Sequence, residues 1–422
     1  MIKICLIIFK PVFNLPSVSA WSCLLLLSIS VVSAFAQPLS ERGLLNTPEH
    51  LEFIHQQVNN NEEPWTSGYK AIKSYLDHEP QPFQHYIDPA AHQGSPGDIM
   101  QPILRADSEA AYGSALHWVV TRDEAHAKKA IEILNAWSWK IESIHPWEDG
   151  PLSTSYNWPR MMYAADIIRK TYDGWSEEDQ EQFARVLRSI VWPGSAGRAI
   201  DKDNKNNWRS HAVHNRLTIA VYLEDEEWFS EAIFILKDQI ASYCYPSGQS
   251  IETVRDMYHS QMGIGAMVTA AEIAWNQGVD VYSYLNNRLL RCVEWHIPHI
   301  MGLENADWPD TFDSPFYAPD NQRIDGDYVV KWERRVPVRR GRFDQPRAVG
   351  RALHFYEIVH NHYHNRKGLD TPNTEKMLLE KSPAINYDEP PSPQRMIPAR
   401  PEGSAFIGGW GTLTHTRLDL VE

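Results

Sequence analysis

Little in this chain could hold it together covalently. Four cysteines occur in 422 residues, and two of them, Cys5 and Cys23, lie in a leader-like N-terminal stretch. Cys244 and Cys292 remain, too few for a disulfide scaffold and without metal-ligand spacing, and the sequence leaves open whether they pair. No His-Glu-x-x-His pair is present, and His296 with His299 is a weak combination in a chain of 18 histidines, so neither a metal nor a cofactor is expected. A glycine-rich phosphate loop and a Gly-x-Ser-x-Gly elbow are both missing, which removes support for phosphoryl transfer and serine hydrolysis. Basic residues are outnumbered: 40 Lys and Arg against 54 Asp and Glu give a formal net charge of −14, which argues against nucleic acid as a partner. An anionic substrate stays compatible, because a basic cleft can sit on an acidic body.

Long apolar runs are confined to the start. Lys3 and Lys10 precede an apolar run from Ser22 to Val32, and Ala34-Phe35-Ala36 forms a small-x-small site before Gln37. Residues 1–36 are therefore expected to be a signal peptide, with the rest exported to the periplasm or the medium and no membrane anchor after its removal. The remainder, 37–422, is expected to be a single domain with an irregular, loop-rich segment at about 302–346. A hydrophobic fraction of 43% supplies a large core, and most of the 16 tryptophans are expected to wedge between helices, the others to stack on sugars.

Helical periodicity dominates. Thr47 to Leu76 carries apolar positions on one face, and His78 to Gln101 reads as a long loop rich in Pro and Gly. Helical pairs then follow: Ser108–Thr121 with Asp123–Trp139, Ser155–Tyr172 with Ser176–Ile190, Trp208–Tyr222 with Glu226–Tyr243, and Ser250–Gln277 with Val281–Ile297. Ser176 with Asp179 makes a capping-box pattern. A last helix is expected at Arg347–Tyr363 and a short strand near Gly408–Thr414. Hairpins without internal sequence similarity favour a closed ring over an open solenoid. The expected fold is all-α: an (α/α) toroid or incomplete barrel of helical hairpins, with little β structure and a cleft where long loops gather.

Two stretches carry candidate chemistry. In Asn206-Asn207-Trp208-Arg209-Ser210-His211-Ala212-Val213-His214-Asn215, the residues Asn207, His211 and Asn215 are spaced by four and share a helical face. Asn207 also suits an N-cap, and His214 projects elsewhere. In the second stretch, Glu252, Arg255, Asp256 and His259 have i, i+3, i+4 and i+7 spacing and are expected to form a polar ridge on the helix Ser250–Gln277, either reactive or a satisfied ion-pair network. An Arg four residues before a His disfavours imidazolium, and a neutral His beside a fixed cation suits a proton acceptor. Tyr258 lies about 100° round the helix from His259. A late cluster, Lys331, Arg334, Arg335, Arg339, Arg340, Arg342 and Arg347, has the planar forks that bind carboxylates, or is a solvated loop.

The segments NNWRSHAVHNRLTIAVYLEDEEWF, ETVRDMYHSQMGIGAMVTAAEIAWNQGVDVYSY and EIVHNHYHNRKGLDTP resemble the alginate lyase-like superfamily of polysaccharide lyases, over most of the chain from about Ser108. The resemblance implies β-elimination on a uronate polysaccharide, most readily mannuronate-rich alginate. One group neutralises the C5 carboxylate, a base takes the C5 proton, and an acid protonates the leaving O4. Carried over, Asn207 and Arg255 become neutralisers with His211 beside them, His259 the base and Tyr258 the acid. Asn206, Trp208, Arg209, Gln261, Arg334, Arg335, Arg339 and Arg340 become substrate contacts. The chain departs from better-known members, which have Asn and His adjacent and a Tyr two turns beyond the Arg, where Met262 stands here. Tyr156, Tyr163 or a late-loop tyrosine are alternatives for that role. Other readings are a glucuronan or other polyuronate lyase, a hydrolase of unsaturated uronyl oligosaccharides, for which Asp166, Asp256 and Asp310 form no evident constellation, and a non-catalytic polysaccharide-binding protein.

Overall fold

Side-chain caps fix where several of the helices begin. Thr47, Asp123, Ser176, Asn206 and Asp225 each stand just before a helix in extended backbone and accept from a backbone N–H of its first turn. The computed structural model describes residues 39–87, 97–146, 149–195, 205–253, 257–301, 353, 355–381 and 410–422. The helices are α1 (Pro48–Asn59), α2 (Trp65–Lys70), α3 (Gly97–Thr121), α4 (Glu124–Ser138), α5 (Gly150–Thr171), α6 (Glu177–Val186) and α7 (Trp192–Gly194). They continue with α8 (Asn207–Tyr222), α9 (Glu226–Tyr243), α10 (Met257–Asn276), α11 (Tyr284–Ile300), α12 (Tyr356–His360), α13 (Pro372–Lys381) and α14 (Gly411–Thr414). π-helical turns extend α6 through Leu187–Val191 and α12 through Asn361–Arg366. Among the described residues the strands are His85–Tyr86 and Ser143–Ile144, paired in parallel.

Burial separates two kinds of helix. In α5 every residue from Gly150 to Ile168 is buried except Tyr156, and α8 is buried nearly all round. In α9 the buried set is Phe229, Ala232, Leu236, Gln239, Ile240 and Tyr243, a single stripe. A helix buried on all sides lies inside, and one with a stripe lies outside. The chain alternates between them: α3, α5, α8, α10 and α12 are inner and packed in that order, and α4, α6, α9, α11 and α13 cover them.

The inner helices run in one direction, because like ends meet. Gln101 bonds Tyr156 and Asn207 sits beside the residues preceding α10, whereas at the other end Trp118 Nε1 donates to Thr171 at 2.9 Å and Arg169 to the Tyr222 carbonyl at 3.1 Å. Gln261 ties α10 to α12, Thr412 of α14 donates to Glu357 of α12 at 2.7 Å, and a Cβ on Gly68 of α2 would lie 2.8 Å from the Leu413 nitrogen. With α1 packed on α3, the ring closes. This is an all-α (α/α) toroid. At the end where inner helices finish, Gly43–Asn46 forms a plug: Leu44 N donates to Asp166 at 2.9 Å, and Asn276 and Gln277 donate to the carbonyls of Leu44 and Gly43.

Several boundaries differ from expectation. The helix expected at Ser108 starts at Gly97 and carries Pro102 within it, which is why its first turns read as loop in the sequence. Within the stretch expected as a short strand, Gly411–Thr414 is a helical turn, α14, and α13 has no counterpart among the expected helices. The second helical run ends at Lys70 instead of Leu76. Glu252 precedes α10 rather than lying on it. Ser250 N donates to Thr253 Oγ1 at 2.8 Å and Thr253 N to the Ser250 carbonyl at 3.0 Å, a local turn that competes with helix. The expected ridge running from Glu252 to His259 is therefore not one helical face. Half of the described tryptophans, including Trp137, Trp158 and Trp175, are buried in the core, and Trp192, Trp228, Trp275 and Trp295 pack against it. No described helix is long and apolar enough to cross a membrane.

Candidate active site

The connections from an outer to an inner helix leave and rejoin the described helices at the end opposite the plug. They are longer than the inner-to-outer turns: Arg122–Asp123 joins α3 to α4, and Leu223–Asp225 joins α8 to α9. The first turns of α3, α5, α8 and α10 therefore meet where the chain has most room for loops.

Capping settles the two asparagines. Asn206 is the N-cap of α8, its Oδ1 accepting from Trp208 N at 3.0 Å, which leaves Asn207 free of the capping role. Asn207 has no exposed surface, and Glu252 accepts from its backbone N and from its Nδ2, both at 2.9 Å. Its Oδ1 is buried without a partner. One turn on, both ring nitrogens of His211 are buried without a partner, and one turn further both amide atoms of Asn215 are too. Buried polar atoms are nearly always satisfied, so three successive exceptions on one face of α8 single out that face. Burial, with His214 adding to it, pushes the His211 pKa down to about 3, so its imidazole is neutral at neutral pH. His214 turns the other way and meets the Tyr163 hydroxyl at 2.6 Å, a packing role.

Tyr156, the half-buried exception on α5, sets its ring against His211 edge-on, with centroids 5.6 Å apart, and receives a hydrogen bond from Gln101. One turn below it on α5, the buried Arg160 donates to Asn157 and stands 3.8 Å from Glu109 of α3. Burial lowers the Arg160 pKa to about 10 despite Glu109, so it stays cationic; burial raises Glu109 while Arg160 opposes it. Gln101, Arg105 and Glu109 are spaced by four on α3. They escape a reading of the sequence because part of that helix looks like loop, and the Tyr156–Arg160 spacing is the available signal for α5.

The other expected site residues scatter. Tyr258 and His259 are half-buried in the first turn of α10, rings 5.6 Å apart, with the His259 carbonyl 3.1 Å from the Tyr243 hydroxyl. Trp208 is half-buried. Arg209 points at α9, where Asp238 at 2.7 Å and Gln239 at 3.0 Å hold it; this corrects the expected substrate contact, because the pair joins two helices. Gln261 is likewise engaged, its Oε1 accepting from Leu353 N at 3.0 Å and the Tyr356 hydroxyl at 2.9 Å. Arg255, Asp256, Asp310, Arg334, Arg335, Arg339 and Arg340 lie outside the described residues. Asp166 sits at the plugged end, bound by Leu44 N, Arg169 and Lys170, away from the α8 face. Cys244 and Cys292 are buried free thiols. No metal-ligating group of three or more is found among the described residues.

The arrangement depends on a glycine. A Cβ on Gly263 would lie 2.2 Å from the Tyr243 hydroxyl, which reaches across α10 to Glu252 at 3.0 Å. Gly263→Ala is expected to displace Tyr243 and destabilise the protein by about 1–3 kcal/mol, as overpacking does. Urea denaturation checks this; an unchanged midpoint would show that Tyr243 moves freely.

Residues 102–308 match the family described as alginate lyase. Among solved structures, an alginate lyase from Bacteroides ovatus is 14% identical, with 84% of this chain and 97% of that one covered and a TM-score of 0.55. Alginate lyase A1-III from Sphingomonas species A1 is also 14% identical, covering 61% of this chain and 78% of its own, with a TM-score of 0.49. No curated protein matches the sequence. The family match defines the class, a polysaccharide lyase, on a toroid whose likeness to the Bacteroides enzyme is one of fold. Over residues 102–308 the chain is thus similar to the alginate lyase family.

Proposed function

We propose that this lyase cleaves a uronate-containing polysaccharide, mannuronate-rich alginate foremost, by β-elimination, leaving an unsaturated uronate at the new non-reducing end. The observation that carries the reading is the unsatisfied polar face of α8, with Tyr156 against it. A neutral His211 offers an N–H to the uronate carboxylate. This withdraws charge from C5 and stabilises the enolate that forms when the C5 proton leaves. Arg255 remains proposed as a second carboxylate partner. Tyr156 is proposed to move the proton, taking it from C5 or returning one to O4, because it touches His211. His259, with Tyr258 beside it, is proposed as the base if Tyr156 serves as acid. The leader suggests that the enzyme works outside the cytoplasm.

Purified protein would be offered polymannuronate, polyguluronate and glucuronan, and the ultraviolet absorbance of the unsaturated product followed. Tyr156→Phe is expected to lower the rate on the preferred polymer by about 10²–10⁴-fold, the usual worth of general acid–base help. Release of saturated sugar, with no new absorbance, would replace the lyase reading with a hydrolase.

A further inference from the structure

We infer that Glu252 is a positioning residue that decides which end of the Asn207 amide faces the toroid interior, so that Asn207 Oδ1 reads a substrate hydroxyl. The catalytic side of this inference rests on the lyase reading; the structural side rests on geometry alone.

Glu252 has no exposed surface. Its Oε1 accepts from Asn207 Nδ2 at 2.9 Å, and its Oε2 accepts from Asn207 N at 2.9 Å and the Tyr243 hydroxyl at 3.0 Å. A carboxylate only accepts, so the amide nitrogen must turn toward Glu252 and Oδ1 away from it. Elsewhere, an amide leaving its oxygen unpaired in the interior would turn over to seek a donor. Here turning over would set Oδ1 against a carboxylate oxygen.

The clamp is itself fixed. The Tyr243 hydroxyl, whose single proton goes to Glu252, sits 3.1 Å from the His259 carbonyl and 3.2 Å from that of Ser260, so it is packed against the first turn of α10. Thr253, next in sequence, bonds His296 of α11 at 3.1 Å. The result is an acceptor aimed at the interior, one turn above a neutral imidazole. An acceptor attracts an O–H and repels a bare carboxylate. Asn207 Oδ1 thus suits a sugar hydroxyl, and the second hydrogen on its Nδ2 leaves the residue a donor besides.

Two experiments on the full chain test this. In the first, melting temperatures are compared for wild type, Asn207→Asp, Glu252→Gln and the double variant. Asn207→Asp sets two carboxylates face to face and is expected to melt lowest. In the double variant the introduced glutamine donates its amide N–H to the introduced aspartate, and most of the loss is expected to be recovered. In the second, kcat/KM is measured for Glu252→Gln, which lets the Asn207 amide turn over. A fall of about 100-fold is expected, comparable to losing one fixed hydrogen-bonding group at a reacting centre, and it should vanish when Glu252→Gln is made in an Asn207→Ala background. A double variant that melts as low as Asn207→Asp would overturn the clamp. Wild-type turnover by Glu252→Gln, or an undiminished effect in the Asn207→Ala background, would overturn the positioning role. If wild-type protein makes no unsaturated product from any polyuronate, the lyase reading fails, and the melting cycle still decides the clamp.

Discussion

His211→Leu is expected to raise the melting temperature while removing lyase activity. Both ring nitrogens of His211 are buried and unpaired, and an unsatisfied buried polar group costs about 1–3 kcal/mol. Leucine has a similar volume and nothing to satisfy, so the folded state gains what the histidine forfeits. Function runs the other way. The missing N–H removes the group proposed to hold the carboxylate as charge develops, with an expected loss of about 10²–10³-fold in kcat. Thermal melts with product absorbance check both at once. The variant should also be less sensitive to acid: a His held at about 3 in the fold and near 6.5 when unfolded contributes stability above pH 6.5 that is lost as pH falls towards 3. A variant that melts lower yet turns over normally would place His211 in the packing and outside the site. Asn215→Leu, one turn deeper, is expected to share the stabilisation with a smaller effect on rate.

The second large effect lies at the far side of α10. Arg366 embraces Glu272 with bonds of 2.8 and 2.9 Å, and Tyr282 donates to the same carboxylate at 2.8 Å. Glu422 also meets Arg366. Burial works to raise the Glu272 pKa, yet the guanidinium outweighs it and holds the group at about 2. Arg366→Ala is expected to cost about 3–5 kcal/mol at neutral pH, since it strands a buried carboxylate. The pH dependence should change sign for this group. In the wild type its contribution is complete above its ordinary pKa of 4.5 and is lost as pH falls towards 2. Without the arginine, burial raises the carboxyl above its ordinary value, and acidification to pH 4 should recover part of the loss. Urea unfolding at neutral and mildly acidic pH measures this; parallel curves for wild type and variant would mean that Glu272 does not depend on Arg366.

What the sequence disclosed follows from period and caps. The α9 stripe and the Asp123 and Ser176 caps place their helices to within about a residue, because local rules decide them. Spacing by four put Asn207, His211 and Asn215 on one face, since α8 is an unbroken helix there. The ridge from Glu252 to His259 failed as one helical face because a Ser–Thr turn precedes α10 and takes Glu252 off that helix. Arg209 was misassigned for another reason: its partner Asp238 belongs to a neighbouring helix, and long-range pairing leaves no local trace. Tyr156 and Arg160 lay in a helix buried on every side, where periodicity does not tell inward from outward.

The shared direction of the inner helices has an electrostatic consequence. An α-helix carries about half a positive charge at its N-terminal end, and α3, α5, α8 and α10 bring those ends together where Asn207 and His211 sit. The balancing negative ends fall at the Gly43–Asn46 plug, where Asn276 and Gln277 donate to the plug's carbonyls. On a chain of net charge −14, the bundled dipoles add a positive contribution at that end that needs no surface lysine. A polyanion would be drawn to that end at a rate that falls as salt is added.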